Sequence, residues 1–245
     1  MKRGKLQKKA TVAVVLPTYC ESENVERLIR EIEELKLNLL TIVIDDSSPD
    51  GTADIVKRLQ REHNNILLFT RPAKLGLGTA ITAGFQTALS LNHQPDYLIT
   101  MDADYSHNPQ DIPKLISVAE SNSDLVIGSR YCDGGKIVGW SSLRWLVSRF
   151  ANLIASLAVG MMVHDCTSGL RCYSRQYVET VLNDLHSQTY EIQIETIRQA
   201  RLRGFTVKET PITFVNRKRG KSKLTGTEIK CFLLYIVKSK FGRFF

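Results

Sequence analysis

The chain has 245 residues, of which 43% are hydrophobic and 24% charged. That size and mixture fit one α/β domain with a sizeable core and exclude a disordered or fibrous chain. A formal net charge of +8 points to a polyanionic partner, whether nucleic acid, a phosphorylated ligand or an anionic membrane, beside the plainer reading of solvated surface lysine. Five cysteines (Cys20, Cys132, Cys166, Cys172 and Cys231) with no CxxC pair indicate neither a disulfide framework nor a zinc site and suit a reducing compartment. The basic start, MKRGKLQKK, leads into no apolar signal core, and no apolar run reaches the roughly 20 residues that span a bilayer.

Residues 11–16 (TVAVVL) predict a buried parallel strand. After the loop PTYCES, Val25, Leu28, Ile29, Ile32 and Leu35 fall on one helical face. Residues 39–44 (LLTIVI) repeat the strand signal, and DDSSPDG follows as a turn. A helix carries Ala53, Val56 and Leu59, residues 66–70 (ILLFT) form a third strand, and another helix covers about 79–91. Residues 97–101 (YLITM) form the fourth strand, ending at Asp102. Asn108 caps the next helix, with Pro109 at its first position and Ile112, Leu115, Ile116 and Ala119 on its buried face. Residues 124–128 (DLVIG) form a fifth strand.

This alternation predicts an α/β fold with a doubly wound, mostly parallel sheet and right-handed crossovers. Ligands of such sheets sit beyond the carboxyl ends of the strands, where PTYCE, DDSSPDG, DADYSH and GSRY all fall. The second half is less regular. It reads as a helical stretch over about 141–162, an amphipathic helix over 190–203 ending at Gly204, and an edge strand within 206–215 marked by Pro211. A basic loop, NRKRGKSK, and a helix-like segment, IKCFLLYIVKSKFGRFF, close the chain.

Asp102-Ala103-Asp104 is the sharpest chemical feature. Two carboxylates one residue apart at a strand end repel unless a cation lies between them, and hard oxygen ligands suit Mg²⁺ or Mn²⁺ carrying a diphosphate. The plainer alternative is a solvated turn with Asp104 as a cap. Asp45-Asp46 ends the second strand, where a carboxylate can accept from a base or ribose, or simply cap the turn. Lys74-Leu75-Gly76-Leu77-Gly78 is neither a Walker A loop nor GxGxxG, since Ile81 breaks the latter; its glycines permit close backbone approach and Lys74 can reach a phosphate. Arg130 in GSRY, with Arg217, Lys218, Arg219, Lys221 and Lys223, suits phosphate contact, although part of such a run is ordinarily a solvated surface. His107, close to the DAD pair, reads as a loop hydrogen-bonder. Glu191 and Glu195, one helical turn apart, are either a source of a base or, for Glu195, a surface partner of Arg198.

In order along the chain come PTYCESEN, VIDDSSPDGT, RPAKLGLGTA, MDADYSHNP, VIGSRY, GWSSLRWLVSRFANL, DCTSGLRCYSR and FVNRKRGKSKL. Their order and spacing resemble the dolichyl-phosphate (polyprenyl-phosphate) mannose synthases, family-2 glycosyltransferases of GT-A fold, from about residue 12 to 230. The DAD element is shared across family-2 transferases, while the GW and DCTSG segments are more specific to the polyprenyl-phosphate branch. The resemblance implies that Pro17, Tyr19, Glu21, Ile44, Lys74, Ala103 and one of Asp45 and Asp46 line the nucleotide-sugar pocket. It implies that Asp102 and Asp104 handle metal and diphosphate, with Ser106 where many members place a glutamine ligand to Mg²⁺ or Mn²⁺. Asp104 and Arg130 take the catalytic roles, and Arg130, Arg217 and Lys223 hold phosphates. Asp165, Ser168, Arg171 and Arg219 fall on the acceptor side. Cys20 replaces the usual Asn of the pattern, Ser47 stands where Gly or Asn is common, Lys221 replaces a Glu, and Arg219 adds charge beside it.

The implied reaction moves mannose from GDP-mannose to dolichyl or polyprenyl phosphate with inversion. A lipid phosphate is already ionised near neutral pH, so no general base is needed. The competing expectations are a polyprenyl-phosphate glucosyl- or N-acetylhexosaminyltransferase using a UDP-sugar, and a non-catalytic membrane or nucleic-acid binding protein. No aromatic-interleaved basic platform supports a nucleic-acid partner. Residues 1–228 are expected to form the catalytic domain and 229–245 an amphipathic helix on the membrane, with Ile229, Phe232, Leu233, Ile236 and Val237 on its apolar face and Lys230, Lys238, Lys240 and Arg243 flanking it. Residues 150–163 fit an interfacial or a core helix equally. The expectation is membrane association at the cytoplasmic face, by peripheral binding or a small anchoring subunit.

Overall fold

The computed structural model describes residues 12–37, 39–217, 231–232 and 234–237. The first half runs β1 (Val12–Thr18), α1 (Val25–Glu34), β2 (Leu40–Asp45), α2 (Thr52–Glu62), β3 (Ile66–Thr70), α3 (Leu77–Leu89), β4 (Tyr97–Thr100), α4 (Ile112–Glu120) and β5 (Leu125–Ser129). The second half runs β6 (Lys136–Val138), α5 (Ser142–Val159), β7 (Arg171–Ser174), α6 (Arg175–Val181), α7 (Ile192–Arg203), β8 (Val207–Pro211) and β9 (Thr213–Val215).

Seven strands form one sheet in the order β3-β2-β1-β4-β7-β5-β8, and β6 pairs with β9 in a small parallel ribbon. Neighbouring strands are parallel except at β7, which runs antiparallel between β4 and β5 and sets Arg171 opposite Thr100 and Ile127. Both faces of the sheet are covered. Ala13, Val15, Ile42, Ile44, Leu98 and Ile127 pack with Phe85 of α3, Ala155 of α5 and Ile194 of α7. Val12, Val14, Leu16, Val43, Ile99 and Val126 pack with Leu28 and Ile29 of α1, Leu59 of α2 and Leu115 of α4. Each buried Val, Leu, Ile or Phe among them contributes about 1.5–3 kcal/mol. Burial on both faces is why these strands read as unbroken apolar runs.

Several elements differ from the sequence expectation. The 206–215 segment is two strands: β8 at the sheet edge, as Pro211 predicts, then β9, which leaves the sheet after Ile212 to join β6. β7 is four residues long and opens with an arginine, so no apolar pattern announces it. α7 is not amphipathic but buried on most sides, including Gln193, Glu195, Thr196 and Gln199. Near the C-terminus, residues 231–232 and 234–237 are helical, and Phe232, Tyr235 and Ile236 pack on the α3–α5–α7 core. Phe232 and Ile236, expected at a membrane, therefore face the protein, while Val237 is exposed. Ile229, Leu233, the flanking cations and the 228/229 boundary lie outside the described residues. Among the described residues, no helix is long and apolar enough to cross a membrane.

Two departures from the family pattern share one backbone property. Cys20 has φ 55° and Ser47 φ 51°, both in the left-handed region. Asn and Gly are the residues that enter that region at least cost. Holding another L-residue there costs roughly 1–2 kcal/mol. Cys20→Asn is therefore expected to stabilise the fold by about 1 kcal/mol and to raise the thermal midpoint by about 2–4 °C in a calorimetric scan. An unchanged or lower midpoint contradicts the conformational account.

Candidate active site

The loops at the carboxyl ends of β1, β2 and β4 meet three segments from elsewhere, and together they line an open cleft of about 120 Å³. Pro17, Thr18, Tyr19 and Glu21 come from the loop after β1, and Asp46 from the loop after β2. Lys74, Gly76, Leu77 and Ala80 come from the turn into α3 and its first residues. Asp102, Ala103 and Asp104 form the acidic part, Thr189 and Tyr190 a wall ahead of α7, and Arg217 completes the lining.

Asp102 is fixed from two directions. His107 Nε2 lies 3.3 Å from its Oδ2, and the His107 ring packs edge-on against Phe214 at 5.3 Å. On the other side, a Cβ on residue 169 would sit 2.6 Å from Asp102 Oδ2, so only Gly169 leaves room for the carboxylate. Burial pushes the Asp102 pKa up, but the hydrogen bond with His107 and the positive charge of Arg217 and Arg130 outweigh it and hold the group below the usual carboxylate range. Asp104 accepts from the Ser106 amide at 3.0 Å through Oδ1 and pairs with Arg217 Nη2 at 3.1 Å through Oδ2. Ser106 Oγ, next to this turn, is buried without a hydrogen-bond partner among the described residues. Two carboxylates and an orphaned hydroxyl form an all-oxygen donor set that fits a hard divalent cation.

Asp46 and Asp45 have separate jobs. Asp46 lines the cleft, pairs with Arg71 at 2.5 Å and accepts from the Leu75 and Gly76 amides at 2.9 and 3.3 Å, so it holds the turn carrying Lys74. Lys74 Nζ lies 4.8 Å from the centre of the Tyr19 ring. Asp45 points away. It accepts from Thr18 Oγ1 at 2.8 Å, Ser48 Oγ at 2.6 Å and the Ser48 amide at 2.9 Å, bracing the loops after β1 and β2 against each other.

The glycosyl transferase family 2 profile matches residues 13–182. The chain belongs to glycosyl transferase family 2. Among curated relatives, the polyprenol monophosphomannose synthase of Mycolicibacterium smegmatis is 36% identical over 89% of this chain and 82% of its own length. The undecaprenyl-phosphate mannosyltransferase of Micrococcus luteus is also 36% identical, over 88% of each chain. Among solved structures, glucosyl-3-phosphoglycerate synthase from Mycobacterium tuberculosis, with Mn²⁺, UDP and phosphoglyceric acid, superimposes with a TM-score of 0.69 at 18% identity, covering 94% of this chain and 78% of that one. The fold is the GT-A fold of this glycosyltransferase family.

Within the glycosyltransferase, Pro17, Tyr19, Glu21, Asp46, Lys74, Asp102, Ala103, Asp104 and Arg217 line one cleft. Five other residues do not fit the roles the resemblance implied. Ile44 is a core side chain. Asp45 is the loop brace described above. Arg171 is fully buried and donates to the carbonyls of Ser168, Cys166 and Gln193 and to Thr196 Oγ1 at 2.6–2.8 Å, so it is a structural hub and not an acceptor ligand. Ser168, beside it, is buried as well. Arg130 is committed to Asp165: Nε and Nη2 each donate at 2.7 Å, and its own amide donates at 2.9 Å. The rings of Tyr131, Trp140 and Phe214 surround that guanidinium within 5.5 Å. Ser106 adjoins Asp104 but is not part of the cleft lining, and Lys223 and Arg219 lie outside the described residues. Neither Glu191 nor Glu195 lines the cleft, so neither supplies a base there.

Sequence reasoning missed Leu77, Ala80, Thr189 and Tyr190 of the lining, and it missed Arg144. Arg144 stacks on Trp140 at 4.1 Å and donates to Asn216 Oδ1 at 3.1 Å. Burial lowers its pKa, and so does the charge of Arg217 and Arg130, because these guanidinium groups share one corner.

The Arg130–Asp165 pair sets a pH dependence. Burial raises the Asp165 pKa, but Arg130 outweighs it, and the folded-state value lies below the ordinary 3.8. Its stabilisation is therefore present above that value and lost as pH falls through the depressed one. Asp165→Asn leaves a buried guanidinium without its counter-ion, an expected cost of about 3–5 kcal/mol at pH 7. The gap between wild type and variant in denaturant melts is expected to close as pH falls below 4. A gap independent of pH contradicts the ionised pair.

Proposed function

We propose that this chain transfers a mannosyl group from GDP-mannose to the phosphate of a polyprenyl or dolichyl phosphate, with inversion at the anomeric carbon. The observation that carries the reading is the relationship to two enzymes named for mannosyl transfer to polyprenyl lipids, 36% identical along almost the full chain. The site's chemistry agrees with it. Asp102 and Asp104, with Ser106 beside them, would hold Mg²⁺ or Mn²⁺, which when bound neutralises charge growing on the departing diphosphate. Arg217 and Lys74 both line the cleft and can bind phosphate oxygens directly. The cleft needs no side-chain base, because the nucleophile is an ionised phosphate oxygen and the chain's task is to align it and screen its charge.

The surface of α5 supports a lipid acceptor. Asn152, Ala155 and Val159 anchor the helix, while Leu143, Leu146, Val147, Phe150, Leu153 and Leu157 form an exposed apolar row, with Phe150 62% and Leu157 73% exposed. Arg144 and Arg149 flank the row and α5 carries no acidic residue. An apolar stripe edged with guanidinium groups suits an anionic lipid surface and leads to the cationic corner.

Transfer is tested with purified chain, Mn²⁺ or Mg²⁺, polyprenyl phosphate in detergent, and labelled GDP-mannose beside a panel of UDP-sugars. Lipid-soluble β-linked label from GDP-mannose, abolished by EDTA and cut at least 100-fold by Asp104→Asn, is expected; removing one such electrostatic contribution costs about 10²–10³ in rate. Label from a UDP-sugar alone replaces the donor, α-linked product overturns inversion, and no transfer from any donor overturns the reading. Separately, Phe150→Glu combined with Leu157→Glu is expected to abolish sedimentation with anionic vesicles at unchanged thermal midpoint. Vesicle binding equal to wild type removes α5 from the membrane contact.

A further inference from the structure

The wall formed by Thr189 and Tyr190 is not part of any helix or strand, yet the loop that carries it is held by buried carboxylates. Glu191 Oε1 accepts from the Gln188 and Thr189 amides, both at 3.0 Å, and its Oε2 accepts from Thr189 Oγ1. Glu195 Oε2 accepts from the His186 and Ser187 amides at 3.1 and 2.9 Å. Four successive backbone N–H groups, 186 to 189, are thus bound by two buried carboxylates from the start of α7.

The carbonyl side of the same loop is pressed against the turn into α3. The Gly78 amide donates to Gln188 O at 2.9 Å. A Cβ on Gly76 would lie 2.4 Å from Gln188 O, and one on Gly78 would lie 2.2 Å from Ser187 O. The two glycines of KLGLG therefore serve backbone-to-backbone contact with the wall and leave phosphate contact in that turn to Lys74. The wall is clamped between carboxylates on one side and glycines on the other, and both Gly76 and Thr189 line the cleft.

We infer that Glu191 and Glu195 are positioning residues that fix the Thr189–Tyr190 wall against Gly76 and Gly78 and thereby set the affinity for the nucleoside-diphosphate donor. The inference rests on the proposed function, in which the cleft takes such a donor. Neither carboxylate lines the cleft. Both act through backbone amides, in a dry environment where charge-assisted hydrogen bonds are about twice as strong as neutral ones. A wall held this way contributes by pre-organisation: the loop is ordered before the donor arrives, so binding carries less ordering cost.

The test is Glu191→Gln in the full chain, which keeps the side chain's shape and removes its charge, with Glu191→Asp as a milder variant that keeps the charge and shortens the reach. Amide hydrogen exchange at 188 and 189 reads the clamp, and calorimetric titration with GDP and with UDP, each with Mn²⁺, reads its consequence. Transfer kinetics separate KM from kcat. The expected result is faster exchange at 188 and 189, with 186 and 187 still protected by Glu195. The nucleotide Kd and donor KM rise about tenfold, equivalent to 1.4 kcal/mol, at unchanged acceptor KM and unchanged kcat at saturating donor. A role confined to folding lowers the thermal midpoint and active fraction without moving Kd, and that result overturns the inference. Faster exchange with unchanged nucleotide Kd also overturns it while the proposed function stands. Failure of the wild-type chain to bind either nucleotide overturns the proposed function, and this inference with it.

Discussion

The ligand end of this protein depends on one buried cation. Arg171 opens β7, the antiparallel strand between β4 and β5, and its guanidinium has no exposure to solvent. Burying such a charge is tolerable only when its donors are used. Here they are, on the Ser168 and Cys166 carbonyls, the Gln193 carbonyl and Thr196 Oγ1. One end of this network ties down the 166–168 turn, which delivers Gly169 to the Asp102 carboxylate. The other ties down the first turns of α7, whose glutamates carry the opposite wall. The acidic floor and the wall of the cleft are thus referred to a single group, itself locked in register by the strands on either side.

A second order of organisation is electrostatic. The chain carries 33 lysines and arginines against 25 acidic residues, but the excess is not spread evenly over the site. Arg71 and Arg130 are each bound to a buried carboxylate and stabilise loops, whereas Lys74, Arg144 and Arg217 stand around the cleft and its cationic corner. Arg217 meets Asp104, so the cleft sets opposite charges face to face at the point where an anionic donor and a cation would enter together. Such an arrangement lets each ligand take over a charge that the protein had been neutralising internally.

Much of this was legible in the residues. The five parallel strands showed as apolar runs because the sheet is covered on both faces, and the polar motifs after them gave most of the cleft, since strand ends are where such sheets bind. What escaped had no local signal. β7 is four residues long and begins with a charge. The Thr189–Tyr190 wall is an irregular segment whose conformation is set by Glu191 and Glu195, which the sequence reads as a source of a base or, for Glu195, a surface partner of Arg198. Asp45 and Asp46 are indistinguishable by type, and only the fold decides that one faces Thr18 and Ser48 while the other faces Arg71. Arg171 and Ser168 had a place in a specific motif, which marks their importance without saying whether they touch a ligand or hold up what does.

The position of β7 also orders events during synthesis. β4 and β5 both lie beside β7, so neither can complete that side of its hydrogen bonding before residue 171 has been made. The β3-β2-β1-β4 half has its partners within the first 100 residues and can consolidate as it leaves the ribosome, but the edge of β4 stays open for about 70 residues more of chain growth. Local parallel units form early, and the sheet closes only through long-range contacts, which are slow to find. The nascent chain thus passes through a stage with an unpaired central strand and no floor beneath its acidic pair. The cleft is complete only after the chain has also grown through Thr189 and Tyr190 to Arg217.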